Sequence, residues 1–141
     1  MVTDPSVKVL HTESSARFGG QELRIILEME KLANFGIDSF LVAPEQSEIL
    51  KIAKKKDLAA HAMSFKRNIH LANVRKLTHF IKEFGISVIN SHGSKDAWNA
   101  GPAAILTGRP FIRSRHVGNP VRSGFFGRLI YGYLPSITLT T

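Results

Sequence analysis

A chain of 141 residues, 43% hydrophobic and 21% charged, is long enough for one domain with a buried core and has the composition of an ordinary soluble protein. No apolar run approaches the roughly 20 residues that span a bilayer, and "MVTDPSVKVLHTE" lacks the charged-then-apolar layout of a leader, so cytoplasmic residence is expected. The absence of cysteine excludes disulfides, thiolate metal sites and thiol chemistry, and a net charge of +8 calls for an anionic partner.

The first β-rich run, "VKVLHTE" (residues 7–13), leads through a loop with two adjacent glycines, Gly19 and Gly20, into a helix predicted over 21–35. Ile25, Ile26, Met29, Leu32 and Ala33 form its apolar stripe. A second strand, "DSFLVAP" (38–44), closes on a proline, and a short helix over 47–57 follows with Ser47 as its N-cap and a basic end that suits the dipole. "AHAMSF" (60–65) is a weaker third strand. The helix over 70–84 places Val74, Leu77, Ile81 and Phe84 on one face and Arg75, Lys76, His79, Lys82 and Glu83 on the other, and Gly85 stops it. Phe35, Phe80 and Phe84 fall at core positions of these helices. A fourth strand (87–92), a small-residue helix (94–108), a fifth strand (110–116) and "ITLTT" (137–141) as a sixth strand complete the order. Regular alternation of strand and helix implies right-handed crossovers and a parallel sheet covered on both faces, a Rossmann-like α/β domain.

In such sheets ligands sit beyond the carboxyl ends of the strands. The residues at those ends are Glu13 with the Gly19–Gly20 loop, His92 with Ser94 and Asp96, and Arg115 with His116. Two readings apply to the glycine pair: a cradle whose N–H groups meet an anion at a helix N-terminus, or a tight turn that needs positive φ. Ser94 and Asp96 are placed for N-capping as well as for ligand contact, and Arg115 for an ion pair as well as for an anion. Two histidines ending neighbouring strands would face one crevice, whereas His11 reads as a buried, hydrogen-bonded strand residue and His61, His70 and His79 as solvated.

Several classes are excluded. "ARFGGQE" is not the G-x-G-x-x-G of a dinucleotide fold, there is no Walker A sequence, and there is no HExxH, so neither a nicotinamide, a P-loop nor a zincin chemistry is expected, and no metal. Asp96 is the last acidic residue, and Arg109, Arg113, Arg115, Arg122 and Arg128 follow without a carboxylate. The segment "VRSGFFGRLIYGYLP" mixes these cations with Phe125, Phe126, Tyr131 and Tyr133, which suits an anionic membrane surface or packing on the sheet; it carries no RNA-binding signature, and nucleic acid is not expected.

In this order, "HTESSARFGGQE", "NSHGSKDAW" and "RSRH" resemble the N-terminal domain of GT-B glycosyltransferases of the group 1, family 4 kind. The resemblance covers nearly the whole chain. It implies retaining transfer of a sugar from a nucleotide sugar to a glycan or lipid-linked acceptor, without a bound metal, in lipopolysaccharide or other cell-surface glycan synthesis. Gly19 and Gly20 would approach the donor phosphate and acceptor, and His92 the transferred sugar. Family members carry most donor contacts in a second, C-terminal Rossmann-like domain, so residues 1–141 would be an incomplete acceptor-side half, inactive alone. The alternative is a noncatalytic nucleotide- or sugar-phosphate-binding module.

Overall fold

The structure, a computed structural model, describes residues 6–66, 68–115, 124–128 and 136–140. The elements are β1 (Lys8–Thr12), α1 (Gly20–Asn34), β2 (Asp38–Ala43), α2 (Glu48–Lys55), β3 (Ala59–Ala62), α3 (Leu71–Phe84), β4 (Val88–Ser91), α4 (Ser94–Thr107), β5 (Phe111–Arg115), α5 (Phe125–Arg128) and β6 (Ile137–Thr140). All six strands pair in parallel in one sheet, in the order β3-β2-β1-β4-β5-β6.

Strand alternation sends successive side chains to opposite faces, and each face recruits its own helices. Leu41 and Ala43 point to α1 and α2, where they pack with Ile25, Ile26, Met29, Ile49, Leu50 and Ala53. Leu10, Val42, Ile89 and Phe111 point the other way, onto Val74, Leu77 and Ile81 of α3 and Ala97, Ala100, Ala103 and Ala104 of α4. Those alanines let α4 lie close to the sheet and to α3. Gly85 and Gly108 end α3 and α4 at φ of 65° and 64°, the left-handed conformation that favours glycine.

Three expectations change. Phe35 is not a core residue; it follows the last turn of α1 and is 79% exposed. Ala33 is exposed as well and Leu32 half-buried, so the buried stripe of α1 narrows to Ile25, Ile26 and Met29 with Glu22. Ser47 does occupy the N-cap position of α2, but its hydroxyl donates to the Pro44 carbonyl at 2.6 Å instead of accepting from the helix. The short α5 lies in the acid-free segment, and residues 116–123 and 129–135, with His116, Arg122, Tyr131 and Tyr133, fall outside the described residues.

Candidate functional site

The chain runs from β1 outward through β2 to β3, then returns past β1 to lay β4 on its other side. β1 and β4 are therefore the strands between which the order reverses, and in open α/β sheets the ligand site lies beyond the carboxyl ends of such a pair. Thr12 and Ser91 are in register there, and the His92 N–H donates to the Thr12 carbonyl at 3.0 Å.

Glu13 prolongs β1, its N–H bonded to the Val42 carbonyl at 3.0 Å. Its buried carboxylate folds back onto the glycine loop. One oxygen accepts the N–H groups of Ser14 (2.7 Å) and Ser15 (2.8 Å), and the other accepts the Gln21 side-chain amide. Glu13 thus fastens the loop to the first turn of α1. Burial, and then the charge of Asp96, raise its pKa to about 7, against the pull of those hydrogen bonds.

Asp96 is fully buried in the first turn of α4. Its Oδ2 accepts from the hydroxyls of Thr12 (2.7 Å) and Ser91 (2.5 Å) and from the Gly93 N–H (3.3 Å), joining β1, β4 and α4 at one atom. Burial raises its pKa, while hydrogen bonds from Ser91, Thr12 and Ser14 and the charge of Arg113 oppose the rise. Both carboxylates are internal fasteners of the rim, and Asp96 takes the capping role open to it. Between them lies Gly93. A Cβ at this position would collide with Asp96 and Ser14 and come within 2.9 Å of Glu13. This glycine is not singled out by the sequence, because its need for a bare backbone comes in part from side chains distant in the chain.

Gly19 and Gly20 behave differently. Gly19 is the N-cap of α1 at φ −151°, its N–H held by Glu22 Oε2 at 2.8 Å, and Gly20 opens the helix; neither has positive φ. The tight-turn reading is therefore overturned. Packing does not require glycine either, since a Cβ on Gly20 would meet nothing within 4 Å and one on Gly19 would make only ordinary contact with Glu22. The pair is an exposed, smooth stretch of backbone at a helix N-terminus, where orphan N–H donors and the macrodipole favour an anion.

His92 follows β4 and is buried, with its Nε2 3.0 Å from Nδ1 of His11 on the neighbouring strand. Burial keeps His11 neutral, its pKa lowered to about 4. Ser94, the first residue of α4, is exposed. Arg113, in register with Ser91, is 2% exposed and donates to the Ser91 carbonyl (3.2 Å) and the Ser94 hydroxyl (3.5 Å). Sequence reasoning chose Arg115, which lies two residues further along, half-buried and in register with Thr140. The rim therefore gathers Glu13, His92, Ser94 and Asp96 with Arg113 and His11, and the glycine loop adjoins it through Glu13. Among the described residues no cluster of three or more His, Asp or Glu could hold a metal ion, and no helix is long and apolar enough to cross a membrane.

A six-stranded parallel sheet in this order, with a glycine pair opening its first helix and a polar rim at the switch point, is a Rossmann-like α/β domain, the fold that also forms the N-terminal half of GT-B glycosyltransferases. The profile of Glycosyltransferase Family 4 matches residues 18–138, and the chain belongs to that family. Similar solved structures include MurG of Acinetobacter baumannii (TM-score 0.72, 13% identity, 97% of this chain and 41% of that one). Anabaena Alr3699/HepE in complex with UDP and glucose (0.71, 13%, 94% and 37%) and the lipopolysaccharide outer core galactosyltransferase WaaB in apo form (0.56, 17%, 77% and 32%) are also similar. The chain thus spans 41% or less of each of these relatives. No curated protein matches it.

Proposed function

We propose that the domain is the acceptor-side half of a retaining, nucleotide-sugar-dependent glycosyltransferase that builds a cell-surface glycan such as lipopolysaccharide. Residues 1–141 are read as part of a longer enzyme whose C-terminal domain holds most of the donor. The observation that carries this reading is the glycine pair: exposed, conformationally ordinary, with open space at Gly20, and set at the N-terminus of α1 beside the switch-point rim. Glycine there serves something outside the chain. A departing nucleoside diphosphate is a fitting occupant, because each hydrogen bond to a charged group contributes about 1.5–3 kcal/mol and the donors are already aimed before reaction.

His92 is assigned the transferred sugar, and Ser94, with Arg113 behind it, an oxygen of the donor or acceptor. Glu13 and Asp96 act by holding the loop and the start of α4 in place. Arg115 and His116 are read as acceptor-side residues. The reading needs no metal, since the charge on the leaving group is met by N–H groups and cations. The UDP and glucose bound by HepE and the outer-core substrate named for WaaB support the donor and pathway class. A lipid-linked acceptor would place the enzyme in the cytoplasm at the inner face of the membrane, with the cation-rich segment after Asp96 toward anionic headgroups.

The test is transfer from UDP-, GDP- and ADP-sugars by this chain alone and with its C-terminal domain supplied. Turnover is expected only for the pair. Turnover by the lone chain contradicts the division of labour. Tight nucleotide-sugar binding without transfer by either preparation favours a noncatalytic binding module.

A further inference from the structure

Two buried imidazoles meet at the switch point. His11 is enclosed in β1 and His92 directly follows β4; their rings stack with centroids 5.3 Å apart and planes 25° apart, and His11 Nδ1 lies 3.0 Å from His92 Nε2. Sequence reasoning treated them separately, one as structural and one as catalytic. We propose that His11 is a positioning residue for His92, which holds that ring by one nitrogen and locks the two imidazoles into matched tautomers. The tautomer claim stands on the pair's geometry and on the burial of His11, while the consequence for turnover rests on the reading of His92 as the residue that meets the sugar.

The proton count dictates the match. A hydrogen bond between two ring nitrogens contains one hydrogen. If it belongs to His11 Nδ1, a neutral His11 has a bare Nε2, and a neutral His92, accepting at Nε2, carries its own hydrogen on Nδ1. If it belongs to His92 Nε2, then His11 accepts at Nδ1 and carries its hydrogen on Nε2. Both rings are Nδ1–H or both are Nε2–H. A mixed pair would put two hydrogens, or none, between nitrogens 3.0 Å apart. His11 is kept neutral by its burial, so it cannot donate from both nitrogens. A flip of the His92 ring about its Cβ–Cγ bond would break the contact and leave His11 Nδ1 unpaired inside the sheet, where its Nε2 already has no hydrogen-bond partner. His92 is therefore fixed in rotation as well as in tautomer, the preorganisation a transition-state contact requires.

The direct experiment is long-range ¹H–¹⁵N correlation on the ¹⁵N-histidine-labelled 141-residue chain in mildly alkaline buffer, where the nitrogen shifts report each tautomer. Matched tautomers are expected for His11 and His92; a mixed pair overturns the proposal, and no variant is needed to read it. His11→Leu, an apolar replacement of similar size, removes the contact, and His11→Asn keeps an amide that still reaches across. In the full-length enzyme His11→Leu should lower kcat roughly ten-fold or more with KM little changed, partly recovered in His11→Asn. Unchanged kcat in a folded His11→Leu enzyme overturns the positioning role. Unchanged kcat in His92→Ala would instead defeat the assignment of His92 to the sugar and leave the tautomer match standing.

Discussion

Substituting Gly20 separates a glycine kept for a ligand from one kept for the fold. Gly20 is the first residue of α1, has no positive φ, and offers open space where a Cβ would stand. Glycine costs a helix about 0.5–1 kcal/mol relative to alanine, mostly through the entropy of the unfolded chain, so Gly20→Ala should stabilise the isolated fold by about that amount. For a domain of this size that corresponds to a Tm rise of roughly 2–4 °C. Ligand binding should move the other way. A methyl, and more so the branched side chain of Gly20→Val, stands between the α1 N–H groups and a phosphate; loss of one such charge-assisted bond, worth about 1.5–3 kcal/mol, weakens nucleotide binding by roughly ten- to a hundred-fold. Scanning calorimetry of the chain and titration calorimetry of the full-length enzyme with UDP would read the two effects. A Tm that falls by several degrees, or UDP affinity within two-fold of wild type in Gly20→Val, refutes the assignment.

Gly93→Ala should do the reverse, lowering stability by about 1–3 kcal/mol because its Cβ overpacks against Asp96, Ser14 and Glu13; thermal unfolding checks it, and an unchanged Tm would mean that the rim yields without cost. His92→Ala in the full-length enzyme should lower kcat by roughly 10²-fold with little change in donor KM, the pattern of a contact made mainly in the transition state; steady-state kinetics at near-normal kcat would reject it. Stability should also carry two opposed pH signatures. His11, with a pKa of about 4 folded against 6.5 unfolded, removes about 3 kcal/mol as pH falls through that window, whereas Glu13, about 7 folded against 4.5 unfolded, removes a similar amount as pH rises through its own. The slopes oppose each other between pH 4.5 and 6.5, so Glu13→Gln should show a Tm that climbs with pH more steeply than wild type there; parallel curves would contradict the pairing. Co-sedimentation with anionic but not zwitterionic vesicles, lost at high salt, is expected of the full-length enzyme, and failure to bind either type would remove the membrane from the account.

Much of this fold is legible in the residues because its signals are periodic. Alternating strands and helices at short spacing define the doubly wound sheet, and the apolar spacing of α3 matches its buried face at Val74, Leu77 and Ile81. Phe35 shows where periodicity misleads: it follows the last turn of α1, beyond the stripe that touches the sheet, so its size carries no packing information. Reading strand ends named Glu13, His92 and Arg115 for the rim and did not name Arg113. Both arginines project to the same side of β5, and only the sheet register sets Arg113 against Ser91, whose carbonyl it bonds. Contacts across 81 or 84 residues, such as His11 with His92 or Thr12 with Asp96, leave no local trace in the chain. Gly93 is another such case, since its need arises from side chains delivered by β1 and α4 together.

The central claim is that the crevice beyond β1 and β4 serves sugar transfer from a nucleotide donor. The most direct measurement is ¹H NMR of the reaction of the full-length enzyme with nucleotide sugars and a glycan acceptor, followed at the anomeric proton. The account predicts a glycosylated product with the donor's anomeric configuration, with release of the nucleoside diphosphate and no requirement for added metal. A product of inverted configuration contradicts the retaining mechanism, and the absence of transfer from every nucleotide sugar contradicts the functional reading itself.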